Sequence, residues 1–274
     1  MSALPLSEIL ALAAALIAAG LIGGVIAGLF GVGGGTVLVP ALFYAFETLG
    51  VGGEGNLHTA IGTSLATIVV TALRSLAAHR RHGAVDEKIL RTWTPWVALG
   101  GGVGAAIAGL TSMEGLAIVY GACLMLVAAQ MGLLPDRYVL RRDMPVGWGR
   151  RIIGTGIGLL SAMMGVGGGS LGGMTMSLCG RPIHQAVATA SGFGVAIGAT
   201  AALGFMGFGW GAEGRPPFSL GYVNLPAAVV MGVMTALSAP LGARLAHRLD
   251  HRLLKKAFAV YLLGTAASVV LKAL

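Results

Sequence analysis

The sequence predicts an all-α integral membrane protein of two inverted structural repeats, each a glycine-broken hairpin or broken helix followed by three transmembrane helices. Three observations carry this expectation. Of 274 residues, 56% are hydrophobic and only 10% charged, against about 25% charged in soluble domains. Four landmarks of the first half recur in the same order in the second, and most Lys and Arg residues fall in three short stretches. A bilayer core about 30 Å thick needs roughly 20 apolar residues per helix, so the chain has room for about eight spans and no sizeable soluble domain.

The first apolar segment, residues 9–46, is interrupted by Gly33, Gly34 and Gly35 in the run AGLFGVGGGTVLV. Apolar runs at 59–78, 91–111 and 115–134 complete a first repeat, 1–135. A basic linker, 136–150, leads to a second repeat, 151–274. That repeat opens with 152–178, interrupted by Gly167, Gly168 and Gly169 in SAMMGVGGGSLGG, and continues with 185–209, 223–246 and 254–273. A hydroxyl residue follows each triplet, Thr36 in one half and Ser170 in the other. HTAIGTS at 58–64 resembles HQAVATA at 184–190, pairing His58 with His184 and Thr63 with Thr189. Gly83, Val85 and Asp86 then match Gly221, Val223 and Asn224, and Gly104 matches Gly242. Shared order of this kind marks a duplication.

Charge sets the expected topology. Five of the 18 Lys and Arg lie at 74–91, five at 137–151 and five at 244–256, so all three regions are expected on the cytoplasmic side. Three hydrophobic segments separate the second region from the third, and three full crossings would place them on opposite sides. One segment must therefore turn back. The natural candidate is 152–178, whose glycines divide it into arms of about 14 and 9 residues, each too short to span. The same shape for 9–46 puts both chain termini and the loop ETLGVGGEGNLH outside, with the second half inverted relative to the first, as in many secondary transporters. Residues 9–30 are also long enough to cross alone, which would preserve the repeat but not the first hairpin.

A net charge of +8 in such a chain reads as cytoplasmic loops facing a lipid surface, and no nucleic acid partner is expected. Cys123 and Cys179 show neither disulfide nor zinc spacing, so no metal and no cofactor is expected. The first residues lack a basic signal-peptide start and are expected to be retained. Small-residue faces permit a homodimer without requiring one.

Non-helical backbone inside a bilayer is tolerated only where protein or a water-filled cavity satisfies it. Where a glycine turn opens into a helix, free N–H groups and the helix dipole favour an anion. Two such turns meeting near the midplane would form an anion site without a buried lysine. The expected substrate-binding residues are Gly33, Gly34, Gly35 and Thr36 with Gly167, Gly168, Gly169 and Ser170, joined by Thr63, Ser64, Thr189 and Ser191 from the following helices. Tight helix packing is the competing explanation of the glycines. His58, His184 and Arg74 are candidates for gating or proton coupling, against plain solvation or snorkelling.

The paired GVGGGT and GVGGGS motifs, AIGTS, the basic RRHGAVD stretch and the ending PLGARLAHRL…LLKKAFAVYLL resemble the sulfite exporter TauE/SafE family over nearly the whole length. The resemblance implies a permease of the cytoplasmic (inner) membrane for sulfite, sulfonates or related sulfur anions, driven by the proton gradient. The second half reads ATA where the first reads GTS, a departure from symmetric hydroxyl ligation. The expected function is thus export of a small sulfur oxyanion by alternating access. A passive anion channel is the alternative.

Two enzyme-like matches are discounted. Gly168, Ser170 and Gly172 fit G-x-S-x-G, but an intramembrane serine hydrolase also needs a placed base and acid. Gly167, Gly169 and Gly172 fit G-x-G-x-x-G without the surrounding βαβ unit. No catalytic residue is expected.

Overall fold

A computed structural model describes residues 6–30, 34–48, 50, 52–133, 139–246 and 251–273. The chain is an all-α membrane protein. Its first half contains α1 (Leu6–Phe30), α2 (Gly35–Thr48), α3 (Asn56–Arg81), α4 (Glu87–Leu110) and α5 (Met113–Leu133). Its second half contains α6 (Gly147–Met163), α7 (Gly169–Leu178), α8 (Ile183–Phe208), α9 (Leu225–Ala246) and α10 (His251–Ala273). Among the described residues, α3, α4, α5, α8 and α9 contain stretches long and apolar enough to cross a membrane. A small antiparallel ribbon, β1 (Ser219–Leu220) with β2 (Val223–Asn224), precedes α9.

The glycine-interrupted segments resolve into unequal helix pairs. The second gives arms of 17 and 10 residues, close to the expected lengths. The first gives 25 and 14. At 1.5 Å per residue α1 is about 37 Å long, enough to cross alone. Its run of Ala, Leu and Ile has strong helix propensity and nothing breaks it before Phe30.

Helices at corresponding places in the two halves make corresponding contacts. The first helix of each half packs on the fourth helix of the other, α1 on α9 and α6 on α4. Short second helices pack on the third, α2 on α3 and α7 on α8, while α3 crosses α8 and α5 pairs with α10. Glycines permit the closest approaches. A Cβ on Gly100 would stand 2.0 Å from the Thr155 carbonyl, and one on Gly242 would stand 1.9 Å from that of Val25. Backbone contact of this kind provides the van der Waals packing that holds helices together in lipid, where apolar burial gives little drive.

Asp86 caps α4 by accepting from Ile89 N at 3.0 Å, and Asn224 caps α9 by accepting from Ala227 N at 3.0 Å. Each follows a turn with a left-handed glycine, Gly83 and Gly221. These are the residues paired by the sequence match.

Charge differs between the two ends of the bundle. At one end Gly55 N donates to Gly214 O, bringing together loops that carry Glu47, Glu54 and Glu213 with a single cation, Arg215. The other end carries Arg80, Arg81, Lys88, Arg141, Arg142, Arg150, Arg151 and Arg181. There the Arg151 guanidinium lies 5.0 Å from the Trp96 ring and 4.9 Å from that of Trp148, a cation–π sandwich of the kind that anchors a helix at an interface.

Candidate functional site

The two glycine turns meet. A Cβ on Gly35 would lie 2.2 Å from the Gly165 carbonyl oxygen and 2.9 Å from Val166 Cα, so the two turns touch backbone to backbone. Gly34 and Gly165 have φ of +74° and +64°, a region that side chains other than glycine rarely enter. The junction lies beside the middle of the bundle's central pair. Gly168 packs on Phe193 and Ile197 of α8, and Gly167 packs between Ile68 of α3 and Gly194 of α8.

Both short helices begin at this junction. Gly34 O accepts from Val37 N and Leu38 N at the start of α2, and Gly168 O accepts from Gly172 N at the start of α7. The first N–H groups of a helix have no intrahelical acceptor, so each turn leads into a helix start that offers donors and partial positive charge. Thr36 is fully buried and its hydroxyl has no hydrogen-bond partner. The Ser170 hydroxyl is likewise buried and unpartnered. Buried unpaired hydroxyls are uncommon and each needs an explanation.

Most of the remaining expected site residues have protein partners. Ser64 Oγ donates to Gly165 O at 2.8 Å, tying α3 to the second turn. Ser191 Oγ donates to Ala188 O within its own helix at 2.6 Å. Thr63 Oγ1 accepts from Asn224 N at 2.9 Å, and Thr189 Oγ1 accepts from Asp86 N at 2.9 Å. The matched threonines thus hold the matched cap residues of the opposite half, one towards each end of the bundle. Gly169 is the first residue of α7, and Gly33 lies outside the described residues.

The histidines diverge. His58 is buried, stacks on Tyr222 at 4.9 Å and directs Nε2 to Ala108 O and Thr111 O at 3.1 and 3.0 Å. Since both acceptors are carbonyls, Nε2 carries a proton. His184 is exposed. Arg74 is exposed beside Val70 and Leu73 on the outer face of α3, away from the glycine junction.

The sequence reading missed the aromatic hydroxyls. Tyr261 of α10 donates to Thr36 O at 3.4 Å. Tyr120 of α5 is fully buried with an unpartnered hydroxyl. Positions 261, 265 and 268 of α10 are Tyr, Thr and Ser, a helical spacing that puts three hydroxyls on one face and was legible in advance.

Comparison with known proteins agrees with this architecture. A probable membrane transporter protein of Haemophilus influenzae is 31% identical over 255 residues, covering 92% of this chain and 96% of its own. Another of Methanocaldococcus jannaschii is 24% identical over 246 residues, covering 86% and 87%. A third, from Bacillus subtilis, is 27% identical over 177 residues, covering 57% of this chain and 64% of its own. No solved structure gives a significant match. Residues 16–269 match the family described as Sulfite exporter TauE/SafE, and the chain, an α-helical multi-pass membrane protein, belongs to that family.

Proposed function

We propose that this membrane transporter is a secondary transporter that exports sulfite, an organosulfonate or a related sulfur oxyanion across the cytoplasmic membrane. The observation that carries the reading is the contact of the two glycine turns, each opening into a helix and each with a buried unpartnered hydroxyl, Thr36 and Ser170. Backbone donors at two helix starts suit a tetrahedral or pyramidal oxyanion. They stabilise it without a fixed cation whose attraction would slow release.

The reciprocal packing of α1 on α9 and α6 on α4 supports two inverted halves. The basic end of the bundle supports a cytoplasmic face there, which leaves both termini external. Alternating access then has natural gates: the Thr63–Asn224 and Thr189–Asp86 bonds lie on either side of the junction. Opening one while the other holds exposes the site to one side at a time. Among the described residues every Asp and Glu lies near a helix end or in a loop, so the proton travels on the anion itself or the coupling is to charge.

Ser170 Oγ has no hydrogen-bonded base, which favours transport over hydrolysis. The test is flux of labelled sulfite, sulfoacetate and sulfate in proteoliposomes, with and without a pH gradient. Gradient-driven accumulation of one sulfur anion, weakened in Thr36→Val and Ser170→Ala, is the expected result. Equilibration that never runs uphill would make the protein a channel, and no flux of any of the three would refute the substrate class. Gly168→Val is a poorer probe, because a Cβ there already meets Phe193 Cβ at 2.6 Å.

A further inference from the structure

We infer that the seam between α2 and α10 is a hydroxyl-lined access path for the anion, running from the acidic end of the bundle to the first glycine turn. The inference rests on the glycine turns being the anion site.

Beyond Lys256, helix α10 is apolar apart from one stripe. Tyr261, Thr265, Ser268 and Lys272 stand at intervals of four, three and four residues, which places them on one helical face. That face meets α2. Tyr44 hydrogen-bonds Ser268, and Tyr261 donates to the Thr36 carbonyl. Lys272 Nζ lies 5.0 Å from the Tyr44 ring centroid at the mouth of the seam. It is the one Lys or Arg of α10 beyond Lys256. An open groove of about 560 Å³ runs along the same line, with Tyr44, Tyr261, Thr265 and Ser268 as its polar lining and otherwise apolar residues of α1 and α2, Ile22 and Val37 among them.

A helix that only faced lipid would not need this stripe, since each hydroxyl in hydrocarbon must find a partner. The inner end of the seam shows why hydroxyls belong here. Thr36 is fully buried with an unpartnered hydroxyl. Leaving such a group unpaired is unfavourable, and a bound anion accepts from it. Lysine at the mouth concentrates anions, neutral hydroxyl donors carry them inward, and no second cation traps them.

The test uses the purified full chain in lipid nanodiscs, with Cys123 and Cys179 replaced by Ala. Single cysteines are introduced as Thr265→Cys, Ser268→Cys and, on the exposed opposite face, Val260→Cys. Each is treated with an anionic sulfonatoethyl thiosulfonate reagent and with its cationic trimethylammonium counterpart. Thr265→Cys and Ser268→Cys are expected to react with the anionic reagent, faster than with the cationic one after correction for free-thiol rates. Sulfoacetate should slow the reaction, and Lys272→Gln should lower the preference for the anion. Val260→Cys should stay inert to both. Seam cysteines no more reactive than Val260→Cys, or a preference for the cationic reagent, would overturn the path. Anion-selective labelling in a protein whose proteoliposomes move no sulfur anion would count against the proposed substrate and leave the path standing.

Discussion

Replacing Thr36 by Val separates a binding residue from a structural one. The side chain keeps its shape and loses a hydroxyl that is fully buried and bonded to nothing in the protein. A buried unsatisfied polar group costs about 1–3 kcal/mol, so removing it should leave thermal stability unchanged or raised. If the hydroxyl donates to the transported anion, the lost hydrogen bond to a charged group, worth about 1.5–3 kcal/mol, raises KM about 13- to 160-fold. The comparison is Thr63→Val. That change strips the acceptor from the buried Asn224 N–H, which should cost about 1–3 kcal/mol of stability with little effect on KM. Thermal unfolding in detergent and initial-rate flux in proteoliposomes read the two quantities separately. A Thr36→Val protein with unchanged KM and a loss of stability matching Thr63→Val would refute the assignment and make Thr36 a packing residue.

Other outcomes follow from the same geometry. Gly100→Ala should sharply lower the unfolding temperature, because its Cβ would stand 2.0 Å from the Thr155 carbonyl, whereas Gly102→Ala, with nothing within 4 Å, should be neutral or slightly stabilising. His58→Ala should destabilise the protein by removing the donor to Ala108 and Thr111 and the Tyr222 stack; His184→Ala, at an exposed position, should not. Burial pushes the Cys179 thiol up, and Arg141 and Arg181 nearby pull it back only in part. Since the thiolate is the reacting form, alkylation of Cys179 in a Cys123→Ala protein should begin at higher pH than for free cysteine. Arg181→Gln should move that onset higher still.

The helices and the meeting of the glycine turns were legible because each leaves a local mark: an apolar run, a triplet, a cap. GGGT and GGGS announce themselves in a line of letters. Asp86 and Asn224 were visible as a matched pair, but not that each is held by a threonine of the other half. That information lies in a crossing of elements far apart in sequence, which periodicity does not encode. His58 and His184 looked equivalent for the same reason. One is enclosed by Tyr222 and the turn at Ala108–Thr111, while the other has no such cover. The role of residues 9–30 was ambiguous because the run is long enough to cross alone, while the shape of the second half argued for a hairpin; its glycines at 20, 23 and 24 do not decide between the two. In the folded bundle they are contact points: a Cβ on Gly24 would lie 2.0 Å from Ser238 Oγ.

The docking of α1 on α9 also sets an order of events during synthesis. Helix α1 leaves the ribosome well before its main partner, residues 225–246, which follows only after α2 to α8. Throughout that interval the glycine face of α1 has no α9 to pack against and must be sheltered by lipid or by the insertion machinery. Helix α6 has no such wait, because α4 is already in place when it emerges. The two halves therefore mature on different schedules, the later-made half finding its partner at once and the earlier-made half completing its packing only once α9 has followed.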